Sequence, residues 1–145
     1  MRIFTIGFTK QSAESFFEAL RASGAARLVD VRLNNVSQLA GFAKREDLRY
    51  FARSICGIDY VHRLDLAPTQ AMLDAHRRRR GGWDAYKREF IALMKSRRIE
   101  ATVPRELMDG ACLLCSEHEP DRCHRRLVAD YLQREWGGVT IDHIV

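Results

Sequence analysis

Short runs rich in β-branched and aromatic residues recur at 2–6, 27–32, 58–62, 111–115 and 139–144, and stretches of helical period separate them. Each run has the length and composition of a strand, and the first stops at Gly7. After it, Ser12 is placed to cap a helix whose Ala13, Phe16, Phe17 and Leu20 follow the 3.6-residue period, with Gly24 to end it. Residues 44–55 set Leu48, Phe51, Ala52 and Ile55 on one helical face, closed by Gly57. Pro68 suits a first helical turn, and Trp83, Tyr86, Phe90 and Leu93 mark another amphipathic helix. Pro104 interrupts before a short turn through Met108. Asp121 is expected to cap a last helix that buries Leu127, Val128, Tyr131 and Leu132 and ends at Gly137-Gly138. Strands alternating with helices predict an α/β fold: a mainly parallel sheet with helices on both faces, Rossmann-like and three-layered. At 145 residues, a single domain over 1–145 is long enough to bury a core of its own.

Composition narrows the class further. No apolar run approaches the roughly 20 residues that span a bilayer. The N-terminus lacks the long apolar core and small-residue cleavage site of a signal peptide. A cytoplasmic protein is therefore expected, with Cys56, Cys112, Cys115 and Cys123 as reduced thiols rather than disulfides. The net charge of +5 is a modest excess, concentrated in Arg77-Arg78-Arg79-Arg80 and in Arg122, Arg125 and Arg126. Such clusters attract phosphates or nucleic acid. They equally serve as solvated helix faces, and Gly81-Gly82 directly after the first reads as a helix end.

The chemistry concentrates between Leu113 and Arg126. An apolar run stops at Cys115, passes through an acidic loop holding Glu117, His118, Glu119 and Asp121, and restarts as a helix opening on Cys123-His124-Arg125. In open α/β sheets ligands bind beyond the carboxyl ends of the strands. Those ends carry Gly7, Asp30 with Arg32, and Cys115 with Glu117. Asp30 and Arg32 are two apart in a strand and share a face, either as a charge pair fixing the strand end or as ligands supplying the wall opposite the cysteines. Cys123 and His124 precede Leu127 and Val128 by four residues, so they fall on the inward stripe of their helix. In its first turn a thiol gains thiolate character.

Three chemistries compete for this cluster. A thiol-phosphatase loop needs an arginine earlier than Arg122 and a loop without Glu117, Glu119 and Asp121, so it fits poorly. A metal site would draw on Cys115, His118, Cys123 and His124, with Glu117 nearby, and these residue types suit zinc. Cys112 and Cys115 imitate a zinc knuckle, yet three residues apart in a strand their sulfurs face opposite ways; the spacing matches no common zinc pattern, and no metal or other cofactor is expected. A metal-free pocket uses most of the inventory. There Glu117 or His124 is acid–base and Cys115 or Cys123 the nucleophile, while Arg125, Arg32 and Asp30 bind an anionic group. A plain Glu117–Arg125 pair locking the helix start would explain those two residues without any chemistry.

Thr5-Ile6-Gly7, Leu28-Val29-Asp30-Val31-Arg32 and Leu113-Leu114-Cys115-Ser116-Glu117 followed by Cys123-His124-Arg125 resemble, in that order, the domain of unknown function 488 family. The likeness runs on to His143-Ile144, and residues 32–42 resemble one subgroup. Two positions depart from it. The family often has His-Ser after Thr-Ile-Gly, where this chain has Phe8-Thr9, and often a proline soon after Asp-Val-Arg, where it has Asn34-Asn35. The resemblance implies a compact α/β domain and no established activity; a step that used the family's histidine would be missing at Phe8.

The leading expectation is thus an intracellular enzyme acting on a small anionic or nucleotide-like substrate. Its catalytic residues would be Cys115, Glu117, Cys123 and His124, with Asp30, Arg32 and Arg125 binding substrate. A nucleic-acid-binding domain using the basic surface and a small metal-binding protein are the alternatives. No membrane partner is expected, and the oligomeric state is not legible.

Overall fold

The computed structural model describes residues 1–35, 41–77, 82–117 and 120–145. Five strands pair in one parallel sheet: β1 (Arg2–Gly7), β2 (Arg27–Asp30), β3 (Asp59–His62), β4 (Ala111–Cys115) and β5 (Thr140–Ile144), in the order β3-β2-β4-β1-β5. β4 lies near the middle and is buried along its whole length, as a parallel strand covered on both faces must be. The α/β expectation with helices on both faces holds.

Successive residues of each strand face opposite ways, and this splits the core in two. Phe4, Ile6, Leu28, Cys112 and Leu114 meet α1 (Ala13–Ser23) and α2 (Arg45–Phe51) through Phe16, Phe17, Leu20 and Leu48. Ile3, Val29, Leu113 and Cys115 face the other layer. That layer holds α3 (Gln70–Arg77), α4 (Gly82–Arg97), the short α5 (Ile99–Thr102) and α6 (Arg105–Met108), and α7 (His124–Trp136). The chain leaves β1 and β2 toward the α1/α2 layer but leaves β4 toward α7. The loops beyond the β4 terminus therefore diverge to opposite faces, and the crevice between them is where such a fold places a ligand.

Local chemistry explains most element boundaries. Ser12 caps α1 by accepting the Ser15 amide hydrogen at 3.1 Å, and Gly24, at φ 76°, ends it. Several boundaries differ from the sequence expectation. β2, expected over 27–32, ends at Asp30, so Arg32 lies beyond the strand and reaches Asp30 from the segment that follows. Pro68 lies before the helix rather than in its first turn, because Thr69 caps α3 by accepting from the Met72 amide at 3.2 Å. Asp121 does not cap α7; it sits in a 3-10 turn over Pro120–Arg122 and pairs with Arg126 at 3.1 Å, while Cys123 holds the cap position. The helix expected over 44–55 is α2 continued by a wider π turn, Ala52–Cys56, before Gly57. Arg78–Arg80, Gly81, His118 and Glu119 lie outside the described residues, and with them most of the arginine run and the one loop histidine considered as a metal ligand. No helix among the described residues is long and apolar enough to cross a membrane.

Candidate active site

Cys115 ends β4 and Cys123 immediately precedes α7, so the turn between them returns the chain to the same corner. Their sulfurs are joined in a disulfide, with Cα atoms 7.4 Å apart. This corrects the expectation of four free thiols. Cys56 and Cys112 remain free. Sequence proximity alone did not reveal the bond, because only the reversal of direction between strand and helix brings the sulfurs together. Cys112 belongs to the opposite core layer, as the strand alternation requires, and burial pushes its thiol pKa well up.

His124 completes the corner. Its Nε2 donates to the Val31 carbonyl at 2.7 Å, which places the ring's lone pair on Nδ1. The ring packs against Phe90, centroids 5.6 Å apart. Burial lowers its pKa to about 4, only partly opposed by the Val31 hydrogen bond and the charge of Asp30, so the imidazole is neutral at pH 7. A ligand atom of His124 and the sulfurs of Cys115 and Cys123 all lie within 4.8 Å of one another.

Arg125 is wholly buried and lies under the loop. Its Nη1 sits 3.5 Å from Cys115 Sγ and donates to the Glu117 carbonyl. Gly7 makes this arrangement possible, since a Cβ there would collide with the Glu117 carbonyl oxygen. The Thr9 amide donates to the Ser116 carbonyl at 3.0 Å. The end of β1 and Arg125 thus hold the backbone of the β4–α7 loop from beneath, while the Glu117 side chain is exposed above it.

Two adjoining cavities open over this floor. The smaller, about 110 Å³, is lined by Cys115, Cys123 and His124 together with Glu117, Arg122 and Tyr86. The larger, about 500 Å³, is lined by His76, Gly82, Trp83, Glu117 and Arg122. His76, Trp83, Glu117 and Arg122 border both. The wall facing the cysteines therefore comes from α3 and α4, where Trp83 stacks on Tyr86 at 5.4 Å and the His76 ring lies 4.9 Å from Tyr86. In the sequence Trp83 and Tyr86 read as part of the apolar stripe of a helix, which holds for the buried Tyr86, while His76 carries no such mark. No local signal marks them, since their meeting with Glu117 is made by tertiary packing.

Asp30 and Arg32 line neither cavity. Arg32 grips Asp30 bidentately, Nε to Oδ1 and Nη2 to Oδ2 at 2.9 Å each, and Nη2 also donates to the Ala43 carbonyl at 2.7 Å. Tyr60 donates its hydroxyl hydrogen to Asp30, and Asn35 donates to the Tyr60 oxygen at 3.2 Å. This is the charge pair at the strand end that the sequence offered as one of two readings. It touches the other cluster at a single point, because the Val31 carbonyl that His124 binds lies between its two partners. Phe8 stands on the far layer, buried, with the Arg32 guanidinium 5.0 Å over its ring and Phe42 edge-on at 6.5 Å. Position 8 lines neither cavity here.

A family model for the domain of unknown function DUF488 matches residues 12–132 and so spans the ends of β2, β3 and β4, the cysteine corner and the wall facing it, with β1 and β5 outside the match. The chain belongs to the DUF488 family. No curated protein and no solved structure matches it. Within the DUF488 span, all seven residues singled out from the sequence gather at one end of the sheet. Cys115, Cys123, His124 and Glu117 face the cavities, while Asp30, Arg32 and Arg125 lie behind them.

Proposed function

We propose that this DUF488 protein is an enzyme acting on a small anionic substrate in the cleft beyond the ends of β4 and the start of α7. One observation carries the reading: the Cys115, Cys123 and His124 cluster opens on the same cavity as an exposed carboxylate, Glu117, and an exposed cation, Arg122. Arg122 anchors the anion through its planar fork of donors. Glu117 and His76 stand on the rim to exchange protons with the substrate. The cysteine pair lies at the centre of the site, with the guanidinium of Arg125 3.5 Å from the Cys115 sulfur. Asp30, Arg32 and Arg125 serve as positioning residues behind the site.

The alternative, a nucleic-acid-binding domain, depends on the arginine run, of which Arg78–Arg80 lie outside the described residues. Arg126, expected on a continuous basic face, pairs with Asp121 at 3.1 Å and Asp130 at 3.5 Å.

The test is thermal unfolding of the reduced protein with a panel of nucleoside monophosphates, sugar phosphates and short dicarboxylates. At about 100 times its Kd a ligand adds roughly 2.7 kcal/mol, enough to raise Tm by several degrees. At least one class is expected to do so, and Arg122→Ala to abolish the shift without altering the unliganded Tm. A panel that leaves Tm unmoved, or a shift that survives in Arg122→Ala, removes the proposal.

A further inference from the structure

We propose that, with the Cys115–Cys123 bond reduced, Cys115, Cys123 and His124 bind one zinc-class divalent cation and leave one coordination position open to the cleft. This deepens the reading of the cleft as an active site and rests on it for the role of the open position. The distances come first. Zinc bonds of about 2.3 Å to sulfur and about 2.0 Å to nitrogen set tetrahedral ligands roughly 3.5–3.8 Å apart. Three ligand atoms already within 4.8 Å of one another need only small side-chain rotations to reach that spacing.

The histidine is prepared in the manner of a metal ligand. Zinc-binding histidines typically donate their second ring N–H to a carbonyl or carboxylate, which fixes the tautomer and aims the lone pair at the metal. His124 does this through Nε2 and the Val31 carbonyl, leaving Nδ1 for the cation. Cys115 also has its outer partner, Arg125 Nη1 at 3.5 Å from Sγ. Two thiolates carry two negative charges, which a dication neutralises. Two sulfurs and one imidazole form a soft set that selects zinc over magnesium or calcium.

Three protein ligands with a vacant position are the arrangement of catalytic rather than structural zinc. The vacant position here would face the cavity of about 110 Å³ that these residues line. Glu117 on its rim is placed to take a proton from a metal-bound water, which assigns the cleft to hydrolytic chemistry on its anionic substrate.

Oxidation state controls this site. A phosphine reductant supplies two electrons to the Cys115–Cys123 bond and is converted by water to its oxide, and the cysteines emerge as two thiols. The arriving cation then displaces the two thiol protons. With the disulfide formed the sulfurs have no thiolate to offer, so the oxidised protein should take no metal.

Cobalt(II) alone is the probe, titrated into phosphine-reduced protein and followed by absorbance. The expected result is saturation at one equivalent, with a thiolate-to-cobalt charge-transfer band and the intense visible bands of four-coordinate cobalt, all bleached by one equivalent of zinc. Cys115→Ser and Cys123→Ser should lose the charge-transfer band, and His124→Asn should weaken binding at least tenfold, each checked for native circular dichroism. Cys56→Ser should bind as the wild type does, as should the wild type reduced, reoxidised and reduced again. Reduced wild type that shows no thiolate band at equimolar cobalt overturns the proposal without needing any variant, and so does an oxidised protein that binds as tightly as the reduced one. Cobalt binding with no anionic ligand stabilising the protein would sink the cleft reading alone. Ligand stabilisation without cobalt binding would sink the metal centre alone.

Discussion

Two polar clusters lie side by side at the carboxyl end of the sheet, and they have been put to opposite uses. Around Asp30 the described groups bond to one another: Arg32, Tyr60, Asn35 and the Ala43 carbonyl close on the carboxylate in a buried network. Around Cys115, among the described residues, support comes from beneath, through Arg125, Gly7, Thr9 and Val31, and the upper side opens on a cavity. Both contain a buried arginine and acidic neighbours, so residue type alone does not separate them. Saturation does. A closed network specifies one geometry, whereas a cluster held only from behind keeps valence for a ligand.

The comparison is broken most directly at Asp30. Asp30→Asn removes the charge under a buried guanidinium and turns one acceptor into a donor facing donors. A loss of about 3–5 kcal/mol in urea unfolding is expected, and a loss below about 1 kcal/mol would mean the network is not closed. Second in size is the pH dependence that His124 imposes. Its pKa is lowered from 6.5 to about 4 in the folded state, so its contribution is fully present above pH 6.5 and is lost as pH falls toward 4. In the oxidised protein that loss is on the order of 3 kcal/mol. Subtracting the profile of His124→Asn from that of the wild type isolates it from the carboxylates, and parallel profiles would refute it.

Tyr60→Phe sharpens the contrast at smaller cost. It deletes one hydrogen bond to a buried carboxylate, worth about 2 kcal/mol, and chemical denaturation should show it. The smallest effect on stability belongs to the open cluster. Glu117→Gln and Arg122→Ala are expected to leave Tm within about 2 °C of the wild type, while Arg122→Ala removes stabilisation by an anionic ligand and Glu117→Gln, which loses only a negative charge and a proton acceptor, retains it. If either proves as damaging as Asp30→Asn, the open cluster is structural after all.

Much of this was legible in the chain, for identifiable reasons. Strands and helices announce themselves locally: Ser12 and Gly24 bracket α1, and the apolar run before Cys115 is β4, buried on both faces. The inward stripe of α7 likewise foretold that Cys123 and His124 would turn toward Cys115. What the sequence concealed depends on how elements cross. His76 and Trp83 join the site only because α3 and α4 pack over the end of β4. Asp121 looked like a cap because its preference for that role is local, but Arg126 one turn along competes for its carboxylate. The meeting of Cys115 and Cys123 is not legible in the chain, because only the folded loop brings the two sulfurs together.

Gly7 carries one more implication. With the Glu117 carbonyl resting where a side chain on residue 7 would stand, and Arg125 tethering the same oxygen, the loop cannot sink toward the sheet. Any breathing of this segment is one-sided, outward only. Glu117 must then meet its partners by swivelling about its own side-chain bonds over a stationary backbone. An enlarged residue 7 would act as a jack, lifting the carboxylate's base away from the sulfurs without touching either.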